Sequence, residues 1–191
     1  TCCGFGGGWL FTKLLEKLFN MADRRGLQNK WRIAQVFTGA GVAIMHGAQD
    51  GQKFLSISML GIMLAMGSMD TSNVTFPLWL IILCALAMGL GTAIGGKKII
   101  KSVGMDMVKM EPYQGFSAST TTFSCLVLAT FTGLPVSTTH TATTAIMGVG
   151  ASRRIRAVRW SMAGNMVLTW VLTFPGCGLI GFVLAKLFLL F

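Results

Sequence analysis

Residues 33–69 form a long apolar run in which charge occurs at one place only, His46-Gly47-Ala48-Gln49-Asp50-Gly51-Gln52-Lys53. His46, Asp50 and Lys53 are the only acids or bases in that run. A run of this length belongs in a bilayer, where about 20 apolar residues make one helical crossing. It is too long for one ideal crossing and too short for two with a proper loop. At bilayer depth an Asp or Lys costs about 2.5–3.5 kcal/mol each on insertion scales, so such residues face a cavity and have a task. Gly47 and Gly51 flank Gln49-Asp50 and allow the backbone to leave helical geometry. A membrane tolerates that only where the backbone is buried in protein or lines water. The expectation is a helix broken at residues 47–51.

Composition supports a membrane class. Of 191 residues, 53% are hydrophobic and only 12% charged, against about 25% charged in soluble domains. The net charge of +10 raises the question of nucleic acid. The bases, however, cluster just outside the apolar runs: Lys13, Lys17, Arg24, Arg25, Lys30 and Arg32, then Lys97, Lys98, Lys101 and Lys109, then Arg153, Arg154, Arg156 and Arg159. That is a topology signal, and no basic face interleaved with aromatics points to a nucleic-acid partner. Cys2, Cys3, Cys84, Cys125 and Cys177 are odd in number and irregularly spaced, so they outline no disulfide framework. Cys84, Cys125 and Cys177 read as small apolar fillers in spans. Cys2-Cys3 lacks further ligands for a metal. The start, Thr1-Cys2-Cys3-Gly4, has neither an initiator Met nor a basic leader, and the chain is expected to begin in mid-protein.

Residues 1–32 read as a cytoplasmic connector. A Gly-rich stretch is followed by Leu10, Leu14, Leu15 and Leu18 at helical spacing, which predicts a short amphipathic helix at the interface or against a partner. Residues 33–191 read as the transmembrane part. The 70–76 stretch is polar without a base, 77–94 is a clean span, 113–150 is again interrupted, and 161–191 is one long or kinked span with Pro175-Gly176 at the bend. Placing the three basic clusters in the cytoplasm puts 70–76 outside. Residues 113–150 must then leave and return, as two spans or as a span with a re-entrant piece.

The second interruption is Gly133-Leu134-Pro135-Val136-Ser137-Thr138-Thr139-His140. Pro135 ends a helix and biases Leu134 to extended geometry. Ser137, Thr138 and Thr139 are good caps for a helix running on through Ala145-Ile146-Met147. Asp50 likewise reads as the cap of a half-helix after the first break. Two half-helix N-termini at membrane depth would suit an oxyanion, in the manner of transporters whose discontinuous helices meet the substrate. A carboxylate beside a bound anion repels it unless a cation or proton lies between them. Asp50 is therefore assigned to a coupling ion, H⁺ or Na⁺. Gln49 and Gln52 can give amide oxygens to a cation or amide N–H to an anion. Lys53 can attract the anion or simply pair with Asp50. His46 and His140 can carry protons or serve as structural donors. For Thr120, Thr121 and Thr122 the expectation is hydrogen bonding to the helix itself.

These two stretches resemble the PiT family of inorganic phosphate transporters. That family carries Gly-Ala-Asn-Asp and Pro-(Val/Ile)-Ser-Thr-Thr-His motifs in each of two inverted repeats. Gln49 stands where Asn is usual. Gly95-Gly96-Lys97-Lys98-Ile99-Ile100 and Gly164-Asn165-Met166-Val167-Leu168-Thr169-Trp170 also look like bacterial members. The resemblance runs from about Gln35 to the C-terminus and covers one copy of each motif, in the form of the second repeat. It implies an all-α integral membrane protein, a polytopic bundle with broken or re-entrant helices, forming one half of an inverted-repeat transporter.

The functional expectation is cation-coupled symport of inorganic phosphate across the cell membrane, by a multi-pass protein that is not an enzyme and has no cofactor. Ser137, Thr138, Thr139, Gln49 and Asp50 would bind phosphate. Asp50, Gln49 and Gln52 would serve H⁺ or Na⁺, with Lys53, His46 and His140 as accessories and Na⁺ at Asp50 the only metal. Partners would be phosphate, the lipid bilayer, the N-terminal repeat and, as a further option, a second copy in a homodimer. The rival readings are a sulfate permease of the same type and a truncated, non-transporting membrane subunit.

Overall fold

A computed structural model describes residues 1–19, 24–67, 75–101, 104 and 107–188. The helices are α1 (Cys2–Leu18), α2 (Arg24–Ala65), α3 (Leu78–Ile99), α4 (Pro112–Phe131), α5 (Thr138–Arg153) and α6 (Trp160–Phe188), with a 3-10 turn at Ile155–Ala157 before α6. No strand occurs among the described residues. Residues 70–74 of the expected outer loop, and Asp106, lie outside the described residues.

Helices α1, α2, α4 and α5 make a packed body. Helices α3 and α6 contain the stretches Leu78–Gly96 and Trp160–Leu187, each long and apolar enough to cross a membrane and almost entirely unburied within the chain. Leu86, Leu90, Phe174 and Phe182 point outward from them. Apolar side chains at that density on an outer face suit lipid or another apolar protein surface, not water. Pro175 lies inside α6, so the closing span is one helix.

The α4–α5 turn follows its local sequence. Glu111 caps α4 in a capping box with Gln114, and Pro112 takes the first helical position, where its missing N–H costs nothing. At the other end Gly133 adopts φ +67°. The Leu134 N–H donates to the Ala129 carbonyl at 2.9 Å and the Gly133 N–H to the Thr130 carbonyl at 3.2 Å, a Schellman ending that a left-handed glycine makes possible. Pro135 follows, and α5 restarts at Thr138 with Ser137 as its cap, the His140 N–H donating to Ser137 Oγ at 3.3 Å.

One expectation is corrected. Helix α2 runs unbroken for 42 residues, straight through residues 47–51, so Asp50 is mid-helix and caps nothing. Among the described residues only the α4–α5 turn interrupts a run read as broken. A glycine in a helix interior costs only about 0.5–1 kcal/mol relative to alanine, and a long helix packed on α4 carries two. Gly47 and Gly51 lie instead along a groove of about 780 Å³ between α2 and α3, with His46 and Gln52 beside them. Helix α1 starts already at Cys2, taking in the Gly-rich stretch, and packs against α5 and α4. A Cβ on Gly8 would stand 2.5 Å from the Ala145 carbonyl oxygen, and one on Gly4 2.6 Å from Thr144 Oγ1. The glycines let α1 and α5 lie backbone to backbone and parallel, the small-residue packing that joins helices in membranes. Thr12 Oγ1, which donates to the Gly8 carbonyl at 2.7 Å and lies 2.8 Å from Ser117 Oγ, ties α1 to α4.

Where α1 and α5 end and α4 begins, a polar cluster closes the body. Tyr113 Oη donates to Glu16 at 3.2 Å, and Arg153 pairs with Glu111 at 2.9 Å. Trp31 of α2 packs on Phe116 of α4 with ring centroids 5.3 Å apart. From Phe116 to Thr130 the rise of 1.5 Å per residue carries α4 about 21 Å further, and there it meets the charged face of α2.

Candidate functional site

His46, Gln49, Asp50 and Lys53 fall at i, i+3, i+4 and i+7, so an unbroken α2 presents them on one face. That face meets the α4–α5 turn. Gln49 is 4% exposed and its Nε2 donates to Thr130 Oγ1 at 2.8 Å, while Thr130 donates to the Leu126 carbonyl at 2.9 Å. Lys53 Nζ donates to Asp50 Oδ1 at 2.9 Å and to the Val136 carbonyl at 2.7 Å. The other carboxylate oxygen, Oδ2, accepts from Thr138 Oγ1 at 3.4 Å and lies 3.5 Å from His46 Nδ1. His46 Nδ1 is 2.7 Å from Thr138 Oγ1. With the proton on Nδ1, His46 donates to Thr138, which passes its own hydroxyl proton toward Asp50. The imidazole and the carboxylate are thus joined by one threonine.

Asp50 is therefore clamped from three sides, by an ammonium, a hydroxyl and an imidazole. This accounts for a carboxylate in an apolar helix: each oxygen has a donor within reach, and the charge is balanced by Lys53. It also explains why Asp50 has no need to leave the helix to find partners.

The expected site residues separate into groups. His46, Gln49, Asp50, Lys53 and Thr138 come together. Gln52 sits just outside that network and, with Gln49, Lys53, Thr130, Gly133 and Pro135, lines a cavity of about 340 Å³ against the turn. Ser137 and Thr139 are exposed at the start of α5, Ser137 with its hydroxyl engaged in capping. The first-turn N–H groups of any α-helix lack partners within it; the cavity itself ends at Pro135, two residues before the Ser137 cap of α5. His140 turns away and stacks on Trp170 of α6, ring centroids 4.0 Å apart. Among the mid-helix threonines, Thr122 donates to the Ala118 carbonyl at 2.8 Å as expected. The hydroxyls of Thr120 and Thr121 are buried without a partner, against expectation, beside the close approach of Gly7 to Thr121.

Two members escaped the sequence reading. Thr130 is one polar residue among several threonines near the end of α4, and its role depends on Gln49 arriving opposite it. The Val136 carbonyl has no side-chain signature; its signal was the residue after Pro135, in a stretch already read as non-helical.

A probable low-affinity inorganic phosphate transporter of Bacillus subtilis is 39% identical over 168 residues, covering 88% of this chain and 50% of that protein. One from Rhizobium meliloti is 38% identical over 177 residues, covering 93% and 52%. A solved structure described as the sodium-dependent phosphate transporter superposes with a TM-score of 0.69 at 28% identity, covering 85% of this chain and 41% of that one. The chain spans about half the length of the relatives it matches. Their names are those of transporters, not of enzymes. The model of the phosphate transporter family matches residues 9–181, nearly the whole sequence, and the chain belongs to that family.

Proposed function

We propose that this chain forms one half of a cation-coupled inorganic phosphate symporter, a multi-pass protein of the cell membrane whose other half is an inverted repeat of the same fold. The observation that carries the proposal is the meeting of the α2 charged face with the α4–α5 turn, which puts Gln49, Asp50, Lys53 and Thr138 beside the N-terminus of α5. The anion is held by the first-turn N–H groups and hydroxyls of Ser137, Thr138 and Thr139, with Gln49 and Asp50 adjoining it. Asp50 serves the coupling ion, with Gln49 and Gln52 as supporting amides, and His46 supplies a titratable group to the same carboxylate. The relatives' names favour phosphate. Sulfate, also a tetrahedral oxyanion, is the rival substrate, and competition between the two in uptake separates them.

Hydrogen bonds to a charged ligand are worth about 1.5–3 kcal/mol each. In the full-length transporter, Thr138→Ala or Thr139→Ala is expected to weaken phosphate affinity about ten- to a hundredfold. Thr→Ser at either position keeps the oxygen and should be mild. Uptake affinity and membrane abundance, measured together, test this. Equal affinities across the set would remove these threonines from the site, and lost abundance with intact affinity would leave them a structural role only.

The layout has its own test. With single cysteines on a Cys-free background, position 76 is expected to react with an impermeant thiol reagent in intact cells, and position 155 only after permeabilisation. The reverse pattern would invert the topology.

A further inference from the structure

We propose that the ammonium of Lys53 is a tethered cation that fills a monovalent-cation site at Asp50, and that removing it opens that site to sodium. The inference rests on the transport reading above, and it concerns what the Lys53 side chain does there.

The contact with Asp50 alone would be ordinary, since residues three apart on a helix are neighbours. The contact with Val136 is not. That carbonyl lies 83 positions along the chain, in the extended stretch between α4 and α5, where its oxygen is free of the helical ladder. Lysines in membrane helices usually reach outward toward water. Lys53 turns across to a second element and takes a carboxylate oxygen at 2.9 Å and a main-chain carbonyl oxygen at 2.7 Å. A carboxylate with an unwound carbonyl is the oxygen set that binds a dehydrated cation at an interrupted helix. The Thr138 hydroxyl stands on the far oxygen of the same carboxylate at 3.4 Å, and the neighbouring Gln49 gives its amide N–H to Thr130.

Charge leads to the same conclusion. Asp50 and Lys53 neutralise each other. A sodium ion added to these oxygens would put two like charges beside one carboxylate, which Coulomb repulsion at a few ångströms in a partly dehydrated site opposes. With Lys53 in place the sodium position is filled permanently, which leaves the proton as the coupling ion of the transport reading. With an uncharged residue there, Asp50 and the Val136 carbonyl form an anionic pocket of about the right chemistry for a hard monovalent ion.

The test uses the purified full-length protein in proteoliposomes, with sodium chloride or choline chloride outside and phosphate uptake as one readout. Wild type is expected to take up phosphate equally in both salts. Lys53→Met is expected to lose at least about tenfold in choline, the value of a charge-assisted hydrogen bond, and to recover in sodium along a saturating curve. Asp50→Asn/Lys53→Met, which lacks the carboxylate, should not recover. A second readout needs no transport: sodium should raise the Tm of Lys53→Met by about 2–4 °C over choline, and leave wild type unchanged. Lys53→Gln, which keeps a donor for Val136, guards against a variant that fails to fold. A saturable sodium requirement in wild type would overturn the proposal, as would the absence of sodium-dependent stabilisation in both single variants. Failure of wild type to move phosphate would overturn the transport reading, while the stabilisation result would still decide the role of Lys53.

Discussion

In the full-length transporter, Asp50→Asn is expected to reduce coupled phosphate uptake about a hundredfold or more, while the protein remains in the membrane. Asparagine has the size of aspartate and can still accept from Thr138. What it lacks is the charge. The Lys53 ammonium, now held only by the Val136 carbonyl, becomes an unbalanced cation in an apolar setting, and His46 loses the anion 3.5 Å from its ring. Each charge-assisted hydrogen bond is worth about 1.5–3 kcal/mol, and two are weakened together, which sets the hundredfold scale. Uptake and membrane abundance measured on the same cells check the result. If uptake and its ion dependence persist at normal abundance, Asp50 is a structural member of an ion pair and the coupling role is lost.

The second large effect is structural. Gly148 lies where α1 and α5 touch backbone to backbone, and a Cβ there would collide with the carbonyl of Phe5. Backbone cannot swing aside as a flexible side chain can, so α1 must lift off α5 and the buried contacts of Gly4, Gly8 and Thr12 go with it. Overpacking of this kind costs about 1–3 kcal/mol and occasionally more. Gly148→Ala is therefore expected to lower Tm and membrane abundance, and Gly148→Leu to prevent accumulation. Gly6 provides the control. It is on the same helix, exposed, with nothing within 4 Å of a Cβ, so Gly6→Ala should be neutral or stabilising by about 0.5–1 kcal/mol. Equal loss at Gly148 and Gly6 would show that α1 does not pack on α5 as described.

Much of the architecture was legible because its causes are local. Gly133-Leu134-Pro135 ends α4 since a left-handed glycine closes the helix and proline cannot continue it. Ser137 opens α5 because its short side chain reaches the N–H three residues on. The apolar stretches in α3 and α6 need only length and composition to be read. The pairing of Asp50 with Lys53 follows from their spacing on one helix. The site motif was visible for the same reason: charge inside an apolar run stands out wherever the chain later places it.

Tertiary structure decided the rest. Whether Gly47 and Gly51 break α2 depends on about 1 kcal/mol per glycine set against the packing of α2 on α4, a quantity no local pattern contains. Glycine is a poor helix former in isolation, and nothing local in the Gly-rich start marks it as the first turns of α1. Its missing side chains become an advantage only when α5 lies against it. Of the hydroxyls at residues 137–139, only that of Thr138 points to Asp50, and this is fixed by the angle at which α5 leaves the turn. His140 was equivalent to His46 on paper, yet α6 draws it onto Trp170. The Val136 carbonyl, common to every residue in the chain, became a ligand of Lys53 only when two helices far apart in sequence brought it there. Residue types and their spacing determined that a charged site would exist within an apolar body. Long-range packing, which sums many small contacts between distant segments, determined which atoms make it.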